Sequence, residues 1–188
     1  MPSSATVYNV LYSCPGDVVF LKDIIQDVIN KFNETIGNEN GIFLMLKHWQ
    51  DSSYPRTGKS GQETINSEVI NDCDMAIAIF WTQFGHPTEK YGSGTEEEIM
   101  KMLKSKKQVF LYFYDKPINP SELLKDATKQ KEYAKILNLK KEFEEKKYGL
   151  HGGTFSSEDA FRETLLVHLQ KYFIDELKSE KKNSKKNC

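Results

Sequence analysis

Cysteine is scarce in this chain of 188 residues, and the three present, Cys14, Cys73 and Cys188, form no CxxC pair and no even framework. A disulfide scaffold and a zinc ribbon are thereby excluded, and a reducing compartment is expected. Charge of one sign is missing too. The formal net charge is −1, so no global field recruits nucleic acid or an anionic membrane. The N-terminal MPSSATVYNV has no basic segment followed by a long apolar run, so a signal peptide is not expected. No apolar stretch approaches the roughly 20 residues of a membrane-spanning helix. A cytoplasmic protein with no membrane partner is the expectation.

Several chemical signatures are also lacking. No GxGxxG exists, so a dinucleotide fingerprint is unsupported. Gly58-Lys59-Ser60 resembles the end of a P-loop, but the full pattern needs glycine at position 53, where Ser53 stands. His48, His86, His151 and His168 have no metal-ligand spacing with one another or with a cysteine, so no metal is expected. Asn33-Glu34-Thr35 matches a glycosylation sequon but falls on a predicted helix, where a structural role is expected.

What is present is an alternation of strands and helices. Residues 7–12, 42–49, 75–80 and 108–114 read as strands, and 149–155 as a short fifth strand at an edge. The run Met75 to Phe80 is continuously apolar, which suits a strand covered on both faces. Val18, Leu21, Ile25, Val28 and Phe32 recur at helical spacing after the turn Ser13-Cys14-Pro15-Gly16-Asp17. Residues 62–71 read as a short helix, and 122–147 as a charged helical stretch with an apolar stripe of Tyr133, Ile136, Leu137 and Phe143. A last helix, capped by Ser156 or Ser157, presents Phe161, Leu165, Leu169, Tyr172, Phe173 and Leu177. His168 lies near that face as a boundary residue. The lysine-rich residues 178–188 lack apolar side chains except the terminal cysteine and are expected to be disordered, leaving one domain over 1–177.

This order predicts an α/β, flavodoxin-like three-layer sandwich. Its parallel sheet has four to five strands in the order 2-1-3-4-5, with helices on both faces. The loops leaving the first and third strands then flank the topological switch point, where such sheets bind ligands. They contain Ser13 to Asp17 and Trp81 to Thr95. Behind the second loop, Thr95 reads as an N-cap with Glu98 as its capping-box partner. Glu96, Glu97 and Glu98 point about 100° apart on a helix. Glu98 shares a face with Thr95 and adjoins Ile99 and Leu103, so it is the one expected to face the cleft. His86 is a candidate pocket residue. Cys14 lies at the same mouth, where a thiol nucleophile is one reading.

Four pieces, SCPGDV, WQDSSYPRTGKSGQETI, DCDMAIAIFWTQFGHPT and SGTEEEI, resemble a bacterial TIR-like domain in order and spacing, over roughly residues 5 to 175. The resemblance implies an enzyme that cleaves the nicotinamide–ribose bond of NAD, with Glu98 at the position of the family's glutamate. NAD is then substrate rather than cofactor, and the product is ADP-ribose or a cyclic nucleotide. The family aromatic four residues before the glutamate is replaced by Gly94, which leaves base stacking to Trp81 or Phe84. The resemblance also places Ser13, Pro15 and Asp17 beside ribose and phosphates. Asp51 and Tyr54 fall in a loop that in the family rearranges and contacts a neighbouring subunit. It further implies homo-oligomers or a sensor partner, and antiphage defence. Gly94-Thr95-Glu96-Glu97-Glu98 is similar as well to nucleoside deoxyribosyltransferases, which also break an N-glycosidic bond. A non-catalytic TIR adaptor is the alternative from another class.

Overall fold

The structure, a computed structural model, describes residues 4–48, 70–145 and 152–184. Strand β1 (Thr6–Ser13) leads through a 3-10 segment (Gly16–Leu21) into helix α1 (Lys22–Phe32). The chain continues helically, bends at Thr35, and reverses at Gly41 into β2 (Ile42–Lys47). Next come β3 (Met75–Phe80), α2 (Gly94–Lys104) and β4 (Gln108–Tyr114). A short α3 (Pro120–Leu124), a long α4 (Ala127–Glu144), β5 (Gly153–Phe155) and α5 (Glu158–Ser184) complete it.

All five strands are parallel, in the order β2-β1-β3-β4-β5. This is the flavodoxin-like arrangement, and its cause is visible in β3. Every residue of β3 is buried, because alternate side chains enter two separate cores. Tyr12, Ile77, Ile79 and Tyr112 meet α1 and the Phe161, Leu165, Leu169 and Phe173 stripe of α5. On the other face Ala76, Ala78, Phe80 and Leu111 meet Ile99 and Met102 of α2 and the inner side of α4. Each large apolar side chain so buried contributes roughly 1.5–3 kcal/mol.

Local chemistry fixes the joints. The Asn33 amide donates to the Leu44 carbonyl (2.9 Å) and accepts from the Leu44 N–H (2.8 Å), so it occupies part of the open edge of β2 and serves the fold. The Lys107 ammonium donates to the carbonyls of Ile70, Asn71 and Cys73 at 2.9, 3.1 and 2.6 Å, closing the helical turn that precedes β3. Ser157 caps α5, its hydroxyl accepting from Ala160 N–H at 3.2 Å.

Three expectations change. The stripe of α4 is Ile136, Leu139 and Phe143, at 3.6-residue spacing, while Leu137 lies a third of a turn away and is 49 % exposed. Helix α5 runs on to Ser184, so the tail expected to be disordered from Lys178 is helical over much of its length. Lysine and glutamate, which make up much of this stretch, favour the helix, and Lys178 pairs with Asp175 one turn back at 3.5 Å. Strand β2 ends at Lys47 rather than at 49, and β5 begins at Gly153. Residue 49, positions 62–69 of the expected short helix, and 149–151 lie outside the described residues.

Gly152 precedes β5 where no side chain fits. A Cβ added there would stand 2.6 Å from Tyr112 Cζ. The ring cannot retreat, since its hydroxyl bonds His168 Nδ1 at 2.8 Å and its edge meets Phe161. Gly152→Ala is expected to lower stability by about 2 kcal/mol through overpacking, read as a lower urea midpoint at unchanged slope.

Candidate active site

The site begins with strand register. Ser13 ends β1 opposite Ala78, while β3 runs on to Phe80, so the β1 turn opens beside the last residues of β3. The next element back to this edge is α2, and its start explains which glutamate enters. Ser93, not Thr95, is the N-cap, its hydroxyl accepting from Glu96 N–H at 3.1 Å. Glu96 then sits in the third helical position and accepts from Gly92 N–H at 2.7 Å. The capping-box duty expected of Glu98 therefore falls to Glu96, because the helix starts two residues earlier. Glu97 pairs with Lys101 at 2.7 Å. Glu98, one turn into α2, points to the sheet edge and is 7 % exposed.

Ser13 Oγ donates to Glu98 Oε2 at 2.5 Å. Burial pushes the Glu98 carboxyl up to about 7. The Ser13 hydrogen bond opposes that rise, Glu97 adds to it, and Lys101 opposes it. The group is thus poised between acid and carboxylate at neutral pH. Cys14 behaves differently. Burial, with the nearby Glu98 and Asp17 charges, pushes its thiol up to about 12, against a Tyr12 hydrogen bond that lowers it. It stays a thiol at neutral pH, and the nucleophile reading of Cys14 falls.

Asp17 ties the loops after β1 and β3 together at this edge of the sheet. Its Oδ2 accepts from Thr82 N–H (2.8 Å), Thr82 Oγ1–H (2.8 Å) and Gln83 N–H (2.9 Å). The carboxylate expected beside substrate phosphates is instead a clasp between the β1 and β3 loops, since those loops offer three donors. Pro15 is buried at the same seam. Gly85, at φ 99°, lets the β3 loop pass so close that a Cβ would lie 3.3 Å from Ser93 Cβ. Asp17→Ala removes three bonds to a charged acceptor and should cost about 2 kcal/mol. Thermal denaturation checks this, with Asp17→Asn, whose amide oxygen still accepts, recovering part of the loss.

The remaining expected residues separate. Phe84 is 3 % exposed and stacks on Phe80 at 5.4 Å, so it belongs to the core beneath α4 and cannot stack a base. Thr95 is buried beside the Ser93 cap. The His86 side chain is exposed, while its carbonyl accepts from Gly94 N–H at 3.1 Å. Trp81 is partly exposed. Its Nε1–H donates to the Lys116 carbonyl at 3.2 Å, and it borders a cleft of about 320 Å³ between the β3 and β4 loops. Asp51 and Tyr54 lie outside the described residues. Sequence reading missed Ser93, Thr82 and the whole cleft wall after β4. The Ser93-Gly94-Thr95-Glu96 string is a capping-box signal two residues before the one taken, with Ser93 and Glu96 in its two places. Among the described residues, no three His, Cys, Asp or Glu side chains are grouped to hold a metal, and no helix is long and apolar enough to cross a membrane.

A doubly wound parallel sheet with a buried, hydroxyl-bonded carboxyl at its switch point defines the class. Within it, the chain belongs to the family described as Domain of unknown function (DUF4062), which matches residues 23–170. No curated protein matches the chain. A solved structure described as a conserved protein from Enterococcus faecalis V583 is similar at 14 % identity and a TM-score of 0.43, over 85 % of this chain and 97 % of that one.

Proposed function

We propose that this protein cleaves the N-glycosidic bond of a nucleotide whose leaving base is cationic, with NAD as the substrate and Glu98 as the catalytic carboxylate. The observation that carries the reading is the buried Ser13–Glu98 pair at the switch point. A carboxyl there costs stability once ionised, unless a positive charge arrives to offset it. The nicotinamide of NAD is a pyridinium cation, and the ribose from which it departs becomes an oxocarbenium cation. Both would be partnered by Glu98. A neutral deoxynucleoside brings no such charge to the ground state, which favours NAD over the deoxyribosyltransferase reading.

In the reaction, the bond between ribose C1′ and the pyridinium nitrogen breaks, and its electron pair leaves with neutral nicotinamide. The Glu98 carboxylate stabilises the positive charge left on C1′ and the ring oxygen. Water then adds at C1′ and gives up its proton, yielding ADP-ribose, or an adenine nitrogen adds to give a cyclic product. The Ser13 hydroxyl orients the carboxylate. For a substrate to enter, the Asp17 clasp must loosen, since it holds the two loops together.

The test is chromatographic analysis of NAD incubated with concentrated protein. Release of nicotinamide together with ADP-ribose or a cyclic nucleotide supports the reading. Intact NAD alongside free base from deoxynucleosides would replace it with the transferase. Turnover of neither, in folded protein over a range of concentrations, would leave the adaptor.

A further inference from the structure

The cleft beside Trp81 has its own chemistry, separate from Glu98. It opens between the loops after β3 and β4, and its lining includes Trp81, Gln83, Ile118, Asn119, Leu123 and Lys129. The indole of Trp81 is held in place by its N–H bond to the Lys116 carbonyl (3.2 Å) and by the Tyr114 ring, with centroids 5.5 Å apart. A fixed indole with Ile118 and Leu123 beside it makes a wall suited to a flat ring.

Two polar groups of the wall, Asn119 and Lys129, have donors to offer a ligand. Asn119 Oδ1 is already taken, accepting from Ser121 N–H (3.1 Å) and Ser121 Oγ–H (2.7 Å), so its unspent capacity is the two N–H donors of the amide. The Thr82 hydroxyl, also on the wall, donates its hydrogen to Asp17 and keeps only acceptor capacity. Lys129 lies in the first turn of α4, whose start is capped by Asp126 accepting from Thr128 and Lys129 N–H, and no ion pair of the Lys129 ammonium forms among the described residues. An anion in the cleft would partner that ammonium. The volume, about 320 Å³, sits at the lower end of the roughly 300–1,000 Å³ range of ligand sites. It fits one ring-bearing unit rather than a dinucleotide.

We propose that this cleft is a binding site for a nucleoside monophosphate, its base against Trp81 and its phosphate at Lys129. The proposal goes beyond the Glu98 chemistry and does not rest on it. Calorimetric titration of the full chain with AMP, adenosine and inorganic phosphate tests it. AMP is expected to bind saturably with a dissociation constant in the millimolar range or below, more tightly than adenosine or phosphate alone. Lys129→Met should weaken AMP about 10-fold and leave adenosine unchanged. Ile118→Trp, which fills the cleft, should abolish binding of both, and Glu98→Gln should alter neither. Thermal denaturation of each variant establishes that it is folded. No saturation by about 10 mM AMP would sink the proposal. So would AMP affinity that survives Ile118→Trp but vanishes in Glu98→Gln, because the nucleotide would then occupy the Glu98 crevice.

Discussion

Glu98→Gln is expected to reduce NAD cleavage by about 10³-fold or more while leaving the protein folded. The substitution keeps the shape of the side chain, and its amide oxygen can still accept from Ser13 Oγ, which now bonds Glu98 Oε2 at 2.5 Å. What disappears is the negative charge opposite the developing oxocarbenium ion. Loss of one positioned ionisable group at a reacting centre costs on the order of 10²–10⁴ in rate, and the low dielectric of a site where the carboxyl is 7 % exposed puts this case toward the upper part of that range. The pH profile supplies a signature that a structural role would not share. Because burial holds the free carboxyl at about 7, kcat/KM should rise about tenfold per pH unit below that value and level off above it. The residual activity of Glu98→Gln should lack this limb. Nicotinamide release that is unchanged in a folded Glu98→Gln protein would remove the carboxylate from the mechanism.

The parts of this molecule that were legible in the sequence are those decided by periodicity. Met75 to Phe80 could only be a doubly covered strand, and the stripe of Phe161, Leu165, Leu169 and Phe173 could only pack on it from one side. Strand order followed from the repeated strand–helix alternation, which suits a doubly wound sheet with the first strand central. Glu98 was legible because neighbours on a helix diverge by about 100° and Ile99 and Leu103 mark the inward side, although the structure buries Ile99 and Met102 there and leaves Leu103 half-buried. Its exact place in the first turns was not, since Ser93 and Thr95 are both capping residues and only the backbone decides between them. Phe84 was misread for a different reason. An aromatic in a loop stacks a ligand or joins the core according to what covers it, and the cover here, α4, lies far along the chain. The Asp17 clasp to Thr82 and Gln83 likewise spans a sequence distance that carries no local pattern. In the β4 loop the Asn119 side chain caps α3, accepting from Ser121 N–H, and nothing in the sequence of that loop announced a cleft.

The same buried carboxyl makes a second large prediction, about stability rather than rate. The folded protein holds Glu98 at about 7 against an ordinary value of 4.5. Between those values the folded state keeps a proton that the unfolded state has released. Stability therefore falls as pH rises through that window and is constant on either side of it, as far as this group is concerned. At about 1.4 kcal/mol per pH unit, the loss amounts to about 3 kcal/mol by pH 8. Screening by solvent does little to reduce this, because the group is buried. His168 acts in the opposite sense, since burial holds its ring below the ordinary histidine value and its contribution is lost as pH falls. The wild-type curve alone mixes the two, whereas the difference between Glu98→Gln and wild type isolates the carboxyl. That difference should be near zero at pH 4.5 and should favour the variant by about 3 kcal/mol at pH 8 in urea denaturation. A variant that is more stable at the working pH, yet inactive, is what a carboxylate held for chemistry produces. A variant less stable than wild type across the whole range would mean that Glu98 is ionised and satisfied within the fold, and would remove the reason for a cationic substrate to bind there.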